Sequence, residues 1–139
     1  MADVTVAIPT FRRPRLLAKL LDALARLDTA ASVSILVADN DAQGHAGFDL
    51  CEAIRARGYR WPLRALIVAE RGIAQARNAL TAAALDDPKM QFLAMIDDDE
   101  WPCAGWLDAL LRQQAASDAD AVQGSVLFEV PERAAGWSG

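Results

Sequence analysis

The sequence is poor in the residues that build small metal and redox sites. Among 139 residues there are two cysteines, Cys51 and Cys103, and one histidine, His45. A zinc cage of cysteine and histidine needs four ligands, and a disulfide scaffold needs far more cysteine than this. Both cysteines are expected to be reduced thiols of a cytosolic protein. Lysine is also scarce, at two against twelve arginines, and acidic residues outnumber basic ones by 19 to 14, for a net charge of −5. Binding nucleic acid by bulk phosphate neutralisation needs the opposite balance. No apolar run approaches the roughly 20 residues that span a bilayer. Met1 to Pro9 carries an acid at Asp3 and no basic leading segment, so it reads as a strand and not as a signal peptide. What remains, with 53% hydrophobic and 24% charged residues, is one domain with enough length for a genuine core.

The acids that are present are unevenly spread. Asp97, Asp98, Asp99 and Glu100 are consecutive, and the rest of the chain is nearly balanced, at 14 basic against 15 acidic residues. Most of the net charge therefore sits in one run of four.

Hydrophobic periodicity gives alternating strands and helices. Val4, Val6 and Ile8 alternate as in a strand that Pro9 ends. Pro14 suits a helix first turn, and Leu16, Leu17, Leu20, Leu21, Leu24 and Leu27 then make one apolar stripe. Ile35 to Ala38, Leu66 to Ala69, and Phe92 to Ile96 are continuous apolar runs of the kind buried on both faces of a parallel sheet. Between them, Leu50 to Ile54 predicts a helix stopped by Gly58, and Ile73 to Leu85 an alanine-rich helix ended by Asp86-Asp87-Pro88. Trp106, Leu107, Leu110 and Leu111 mark a further helix, and Val122 to Val130 a fifth strand closed by Pro131. This βαβ series predicts an α/β fold: an open, mostly parallel sheet with helices on both faces.

Such sheets bind ligands beyond the carboxyl ends of their strands. The chemically capable residues fall there: Pro9-Thr10-Phe11-Arg12-Arg13, then Asp39-Asn40-Asp41, then Glu70-Arg71-Gly72, then the acidic run. If the run is extended, Asp97 and Asp99 point the same way and can face one ligand. Carboxylates so close repel unless a cation neutralises them, and a hard divalent ion that also binds phosphate is the natural partner. A solvated acidic turn is the bland alternative. Asp39-Asn40-Asp41 reads equally as a helix cap and turn or as a group that hydrogen-bonds a base edge. Phe11 is either a stacking platform or core, and Arg71 and Arg77 are phosphate partners or surface residues. His45, between Gly44 and Gly47, reads as an exposed bystander. Trp101 and Trp106 read as packing residues, with Trp101 open to lining a sugar site. Neither the Gly-rich dinucleotide fingerprint nor a P-loop is present, which leaves metal-held phosphate as the economical solution.

In VTVAIPTFRRP (4–14), ILVADND (35–41), ERGIAQARNAL (70–80) and FLAMIDDDEWPCAGWLDALL (92–111), the chain resembles the inverting glycosyltransferases of family 2, which have the GT-A fold. The combination of RRP, VADND, ARN and IDDDE looks most like bacterial exopolysaccharide glucosyltransferases of the succinoglycan type. The resemblance implies a Rossmann-like, nucleotide-sugar-binding half. Pro9, Thr10 and Phe11 would line the nucleotide pocket, and Asp39 and Asn40 would meet the base, the uracil of a UDP-linked donor. Arg71, Gly72 and Arg77 would lie on the donor side together with Asp98. Asp97-x-Asp99 would be the DxD motif, with Asp99 the direct contact to Mn²⁺ or Mg²⁺ and Asp97 nearer the ribose or sugar. The acceptor would be a saccharide or a lipid-linked saccharide, which implies work in the cytoplasm at the inner face of the bacterial inner membrane.

Family members continue well past the DxD strand, into an acceptor half that carries the general base. Residues 1–139 are therefore expected to be the donor-binding core of a truncated enzyme, with neither Glu129 nor Glu132 assigned as that base. Two other readings compete. One is a non-catalytic nucleotide-binding or assembly module derived from a transferase. The other is a phospho-receiver domain, which would need acids after the first strand and a lysine after the fifth, where this chain has Pro-Thr-Phe and Pro-Glu-Arg.

Overall fold

A computed structural model describes residues 2–117, 121–122 and 126–129. The elements run β1 (Asp3–Thr10), α1 (Pro14–Ala25), β2 (Ser32–Asp39), α2 (Ala46–Arg57), β3 (Leu63–Ile67), α3 (Ile73–Leu85), β4 (Phe92–Met95), α4 (Trp106–Ser117), β5 (Ala121–Val122) and β6 (Val126–Glu129). They form one sheet in the order β3-β2-β1-β4-β6-β5. The first four strands are mutually parallel, and β6 runs antiparallel to both β4 and β5.

The predicted class holds, with helices on both faces. Val4, Val6 and Ile8 alternate onto one face, where they pack with the α1 leucines, Cys51 of α2, and Leu107 and Leu110 of α4. Ala7, Leu36 and Ala38 turn to the other face, against Ala76, Leu80 and Ala84 of α3. The α1 stripe is as expected: Leu17, Leu20, Leu21 and Leu24 are buried, each worth about 2 kcal/mol of removed apolar surface.

Three element boundaries differ from the sequence reading. Pro9 lies inside β1 and does not end it. The Ala7 carbonyl accepts from the Ile96 amide, so alternate residues Ala7 and Pro9 turn their main-chain groups towards β4. That pairing finishes at Ala7 opposite Met95. Pro9 therefore ends the β4 ladder by offering no donor, while the β2 ladder continues to Thr10 opposite Asp39. The third strand begins three residues earlier than its apolar run, at Leu63 opposite Ile35. It stops at Ile67 because the carbonyls of Val68 and Glu70 are drawn off by a side chain, the Asn40 amide. The expected fifth strand is two short strands, β5 and β6. Residues 123–125, Val130, Pro131 and Glu132 lie outside the described residues.

Among the described residues, no helix is long and apolar enough to cross a membrane.

Candidate active site

A cleft of about 390 Å³ opens over the carboxyl ends of β1, β2 and β4. Parallel strands deliver their following loops to this one edge, and the chain reverses there at each βα junction. Pro9, Thr10 and Phe11 arrive from β1, Asn40 from β2, Arg71 and Gly72 from the β3–α3 loop, and Asp97, Asp98 and Asp99 from the end of β4. Nine of the eleven residues singled out in the sequence thus line one cavity.

The acidic run meets there for a different reason than the one expected. Residues 97–100 form a turn, not an extended segment, in which the Glu100 amide donates to the Asp97 carbonyl (3.1 Å) and the Glu100 carboxylate accepts from the Asp97 amide (3.1 Å). The turn sends Asp98 inward. Its carboxylate accepts from Thr10 Oγ1 (2.9 Å) and Arg13 Nη1 (3.3 Å), and burial pushes its pKa up against the pull of those two donors. Asp97, Asp99 and Glu100 remain on the outer side, with one carboxylate oxygen from each lying within 4.8 Å of the others. This donor set is all oxygen and anionic, and it fits a hard divalent cation. Arg77 Nη2 lies 3.7 Å from Asp97 Oδ1, and Arg13 Nη1 lies 3.8 Å from Asp99 Oδ2.

Another part of the cleft is aromatic and cationic. Phe11 is half-buried, and the guanidinium carbons of Arg12 and Arg71 each lie 4.7 Å from its ring centroid, within cation–π range. Arg12 adopts a left-handed backbone (φ +56°) as β1 ends, and its Nε donates to Asp41 (3.0 Å). Gly72 takes φ +142°, a region that side chains avoid, so the α3 entry there favours glycine.

The Asp39-Asn40-Asp41 trio is committed to the scaffold. Asp39 is fully buried beneath the cleft. Its two oxygens accept from the amides of Asp41 (3.0 Å) and Phe48 (2.9 Å), which ties the first turn of α2 to the end of β2. Gly47 sits against this carboxylate, and a Cβ there would meet Thr10 Cγ2 at 2.8 Å. Asn40 reaches the cleft wall, but its amide donates to the Val68 and Glu70 carbonyls (3.0 Å each) and accepts from the Gly72 amide (2.8 Å). Asp41 accepts from the Gly44 amide and Arg12, which together lower its pKa.

Sequence reasoning placed Arg13 and Glu100 at the strand ends without giving either a role, and it passed over Ile73 and Ala76; Arg13, Ile73 and Ala76 line the cleft, and Glu100 is a companion of Asp97 and Asp99. Arg13 and Glu100 stand beside residues that were chosen, so adjacency alone could have found them. Ile73 and Ala76 read as ordinary helix positions. Away from the cleft, His45 pairs with Asp49 (3.1 Å), Trp106 packs on the core, and exposed Trp101 carries the Lys19 ammonium 3.8 Å from its ring centroid.

The family profile for Glycosyl transferase family 2 matches residues 5–138. The chain belongs to this family. It is 34% identical over 138 residues to the succinoglycan biosynthesis protein ExoM of Rhizobium meliloti, covering 96% of this chain and 42% of that protein. The fold is shared with solved structures. S. aureus TarS 1–349 in complex with UDP matches 87% of this chain and 34% of its own, at TM-score 0.70 and 19% identity. The mannosyltransferase PcManGT of Pyrobaculum calidifontis, in complex with GDP-Man and Mn²⁺, matches 85% of this chain and 34% of its own, at TM-score 0.71 and 22% identity. These two likenesses establish the GT-A fold. The chain thus spans less than half the length of each relative. The strand order β3-β2-β1-β4 also departs from the 2-1-3-4-5 order of receiver domains.

Proposed function

We propose that this chain is the donor-binding part of a metal-dependent, inverting glycosyltransferase that takes a UDP-linked sugar and serves polysaccharide synthesis. The observation that carries the reading is the cleft's two-part chemistry: Asp97 and Asp99, which with Glu100 bring three carboxylates within 4.8 Å of one another, line the same cavity as the arginine-flanked Phe11 ring. A nucleoside diphosphate has an aromatic base at one end and a dianionic linkage at the other, and it needs both parts. Family membership supports a glycosyltransferase, the ExoM relative supports polysaccharide synthesis, and the neighbours in complex with UDP and with GDP-Man support a nucleoside diphosphate donor.

In this reading Asp97, Asp99 and Glu100 hold Mn²⁺ or Mg²⁺, with Asp99 as the principal ligand. When bound, the ion supplies Lewis-acid stabilisation of the departing nucleoside diphosphate. Pro9, Thr10 and Phe11 bound the nucleotide, with the Phe11 ring as the face for the base. Asn40 acts through its main chain and by fixing the loop that carries Arg71 and Gly72. Asp39 acts from beneath, by holding Asp41 and the start of α2, and Asp98 locks the acidic turn to β1 through Thr10. Arg71 and Arg77 balance phosphate charge. The acceptor is a saccharide or lipid-linked saccharide met at the inner face of the bacterial inner membrane. No general base is assigned to this chain.

Heat denaturation tests the proposal. UDP with Mn²⁺ at about a hundred times its Kd stabilises by about 2.7 kcal/mol. For a chain of this size that raises Tm by about 10 °C. Asp99→Asn is expected to abolish the Mn²⁺-dependent part of the shift, and a variant that keeps the full shift would sink the metal assignment.

A further inference from the structure

Each of the three outer carboxylates already has a protein partner, and the partners differ in how firmly they are held. Glu100 accepts from a main-chain amide of its own turn. Arg13 reaches Asp99 at 3.8 Å but also donates to the buried Asp98 at 3.3 Å, so it has an anchor apart from Asp99. Arg77 is different. Among the described residues its guanidinium pairs with Asp97 at 3.7 Å, beyond the 2.7–2.9 Å of a good charge-assisted hydrogen bond. Both side chains are about half exposed, at 51% and 46%, so the pair is weak and easily exchanged. Arg77 also sits one helical turn into α3, whose first residue, Ile73, lines the cleft along with Ala76.

Resting on the donor-site reading, the geometry points to Arg77 as a positioning residue that couples the two ligands. A divalent cation and the Arg77 guanidinium compete for the same Asp97 carboxylate. A cation that takes Asp97 frees a positive charge beside the cleft, and the diphosphate is the anion that then receives it. The cation alone must displace Arg77 without compensation, whereas the cation with a nucleoside diphosphate gives Arg77 a new partner. Binding is therefore synergistic, and by linkage each ligand raises the affinity of the other by the same factor.

Free Mn²⁺ measured by electron paramagnetic resonance, with and without UDP, tests this without reference to catalysis. In the wild-type chain, UDP should strengthen Mn²⁺ binding by about tenfold or more. Arg77→Gln removes the competitor, so Mn²⁺ alone should bind about five- to tenfold tighter than to wild type, while the gain from UDP shrinks by a similar factor. Arg77→Lys keeps the charge and should restore weak binding of Mn²⁺ alone. A merely structural role would weaken Mn²⁺ binding in Arg77→Gln. That result, or an unchanged gain from UDP, overturns the role of Arg77 while leaving the donor site standing. A wild-type chain that binds neither ligand overturns the donor reading, and this inference with it.

Discussion

Three neighbouring residues at the end of β2 show how the same side-chain chemistry is spent in different ways. Asp39, Asn40 and Asp41 are all polar and all buried, and each satisfies its atoms within the protein. From the sequence, capping and base recognition were equally open to them. The hydrogen bonds tie all three to neighbouring turns and loops, because a buried carboxylate needs fixed donors and main-chain amides are the nearest ones. Asp41 gives a test with a definite sign. The Gly44 amide and Arg12 depress its pKa below the ordinary 3.8, so its charge favours the folded state above that value. The contribution is fully present at neutral pH and fades as pH falls through the depressed value. Asp41→Asn should therefore be less stable than wild type at pH 7 in urea denaturation, and the gap should close below pH 3.8. A gap that stays constant down to pH 2 would deny Asp41 this role.

At the scale of elements, α1 and α2 are held by a few specific hydrogen bonds as well as by apolar packing. The first turn of α2 hangs on Asp39 through the Phe48 amide, with Gly47 allowing the close approach. The far end of α1 is capped from a distance: Trp61 Nε1 donates to the Leu24 carbonyl (2.8 Å), and Arg60 donates to those of Ala25 (3.0 Å) and Leu27 (2.6 Å). Asp39→Ala strands two amides, at least one of them buried, and is expected to cost about 2 to 4 kcal/mol in chemical denaturation. Loss of under 1 kcal/mol would mean that α2 is held by packing alone. This scale also marks where the sequence was legible. Leucine spacing gave α1, and Gly58 gave the end of α2, because burial and backbone sterics act locally there. The start of β3 was hidden because an edge strand pairs on one side only, so its apolar run records packing of Leu66 and Val68 on the smaller core cluster as much as strand pairing. The acidic turn was hidden because alternation assumes an extended chain, and nothing local in four consecutive acids forces one.

At the scale of the molecule, the sheet separates two apolar clusters of unequal size among the described residues, the larger beneath α1, α2 and α4. Cys51 lies in the larger one at 1% exposure, and burial pushes its thiol pKa up to about 12. Cys103 is exposed. A thiol reagent at pH 8 should modify one cysteine per native chain at once. The second should react only as fast as the core opens, and its rate should rise with denaturant along the global unfolding curve. Immediate reaction at both would mean that the larger cluster is loosely packed.

The side chain of Asn40 has a consequence for binding thermodynamics. It clamps the loop that bears Arg71 and Gly72 by three hydrogen bonds within the protein, so that loop is ordered by folding and not by a ligand. Fixing a residue's backbone costs about 1 to 2 kcal/mol. Here that entropy is lost when the chain folds, and a ligand entering the cleft meets a wall already in shape.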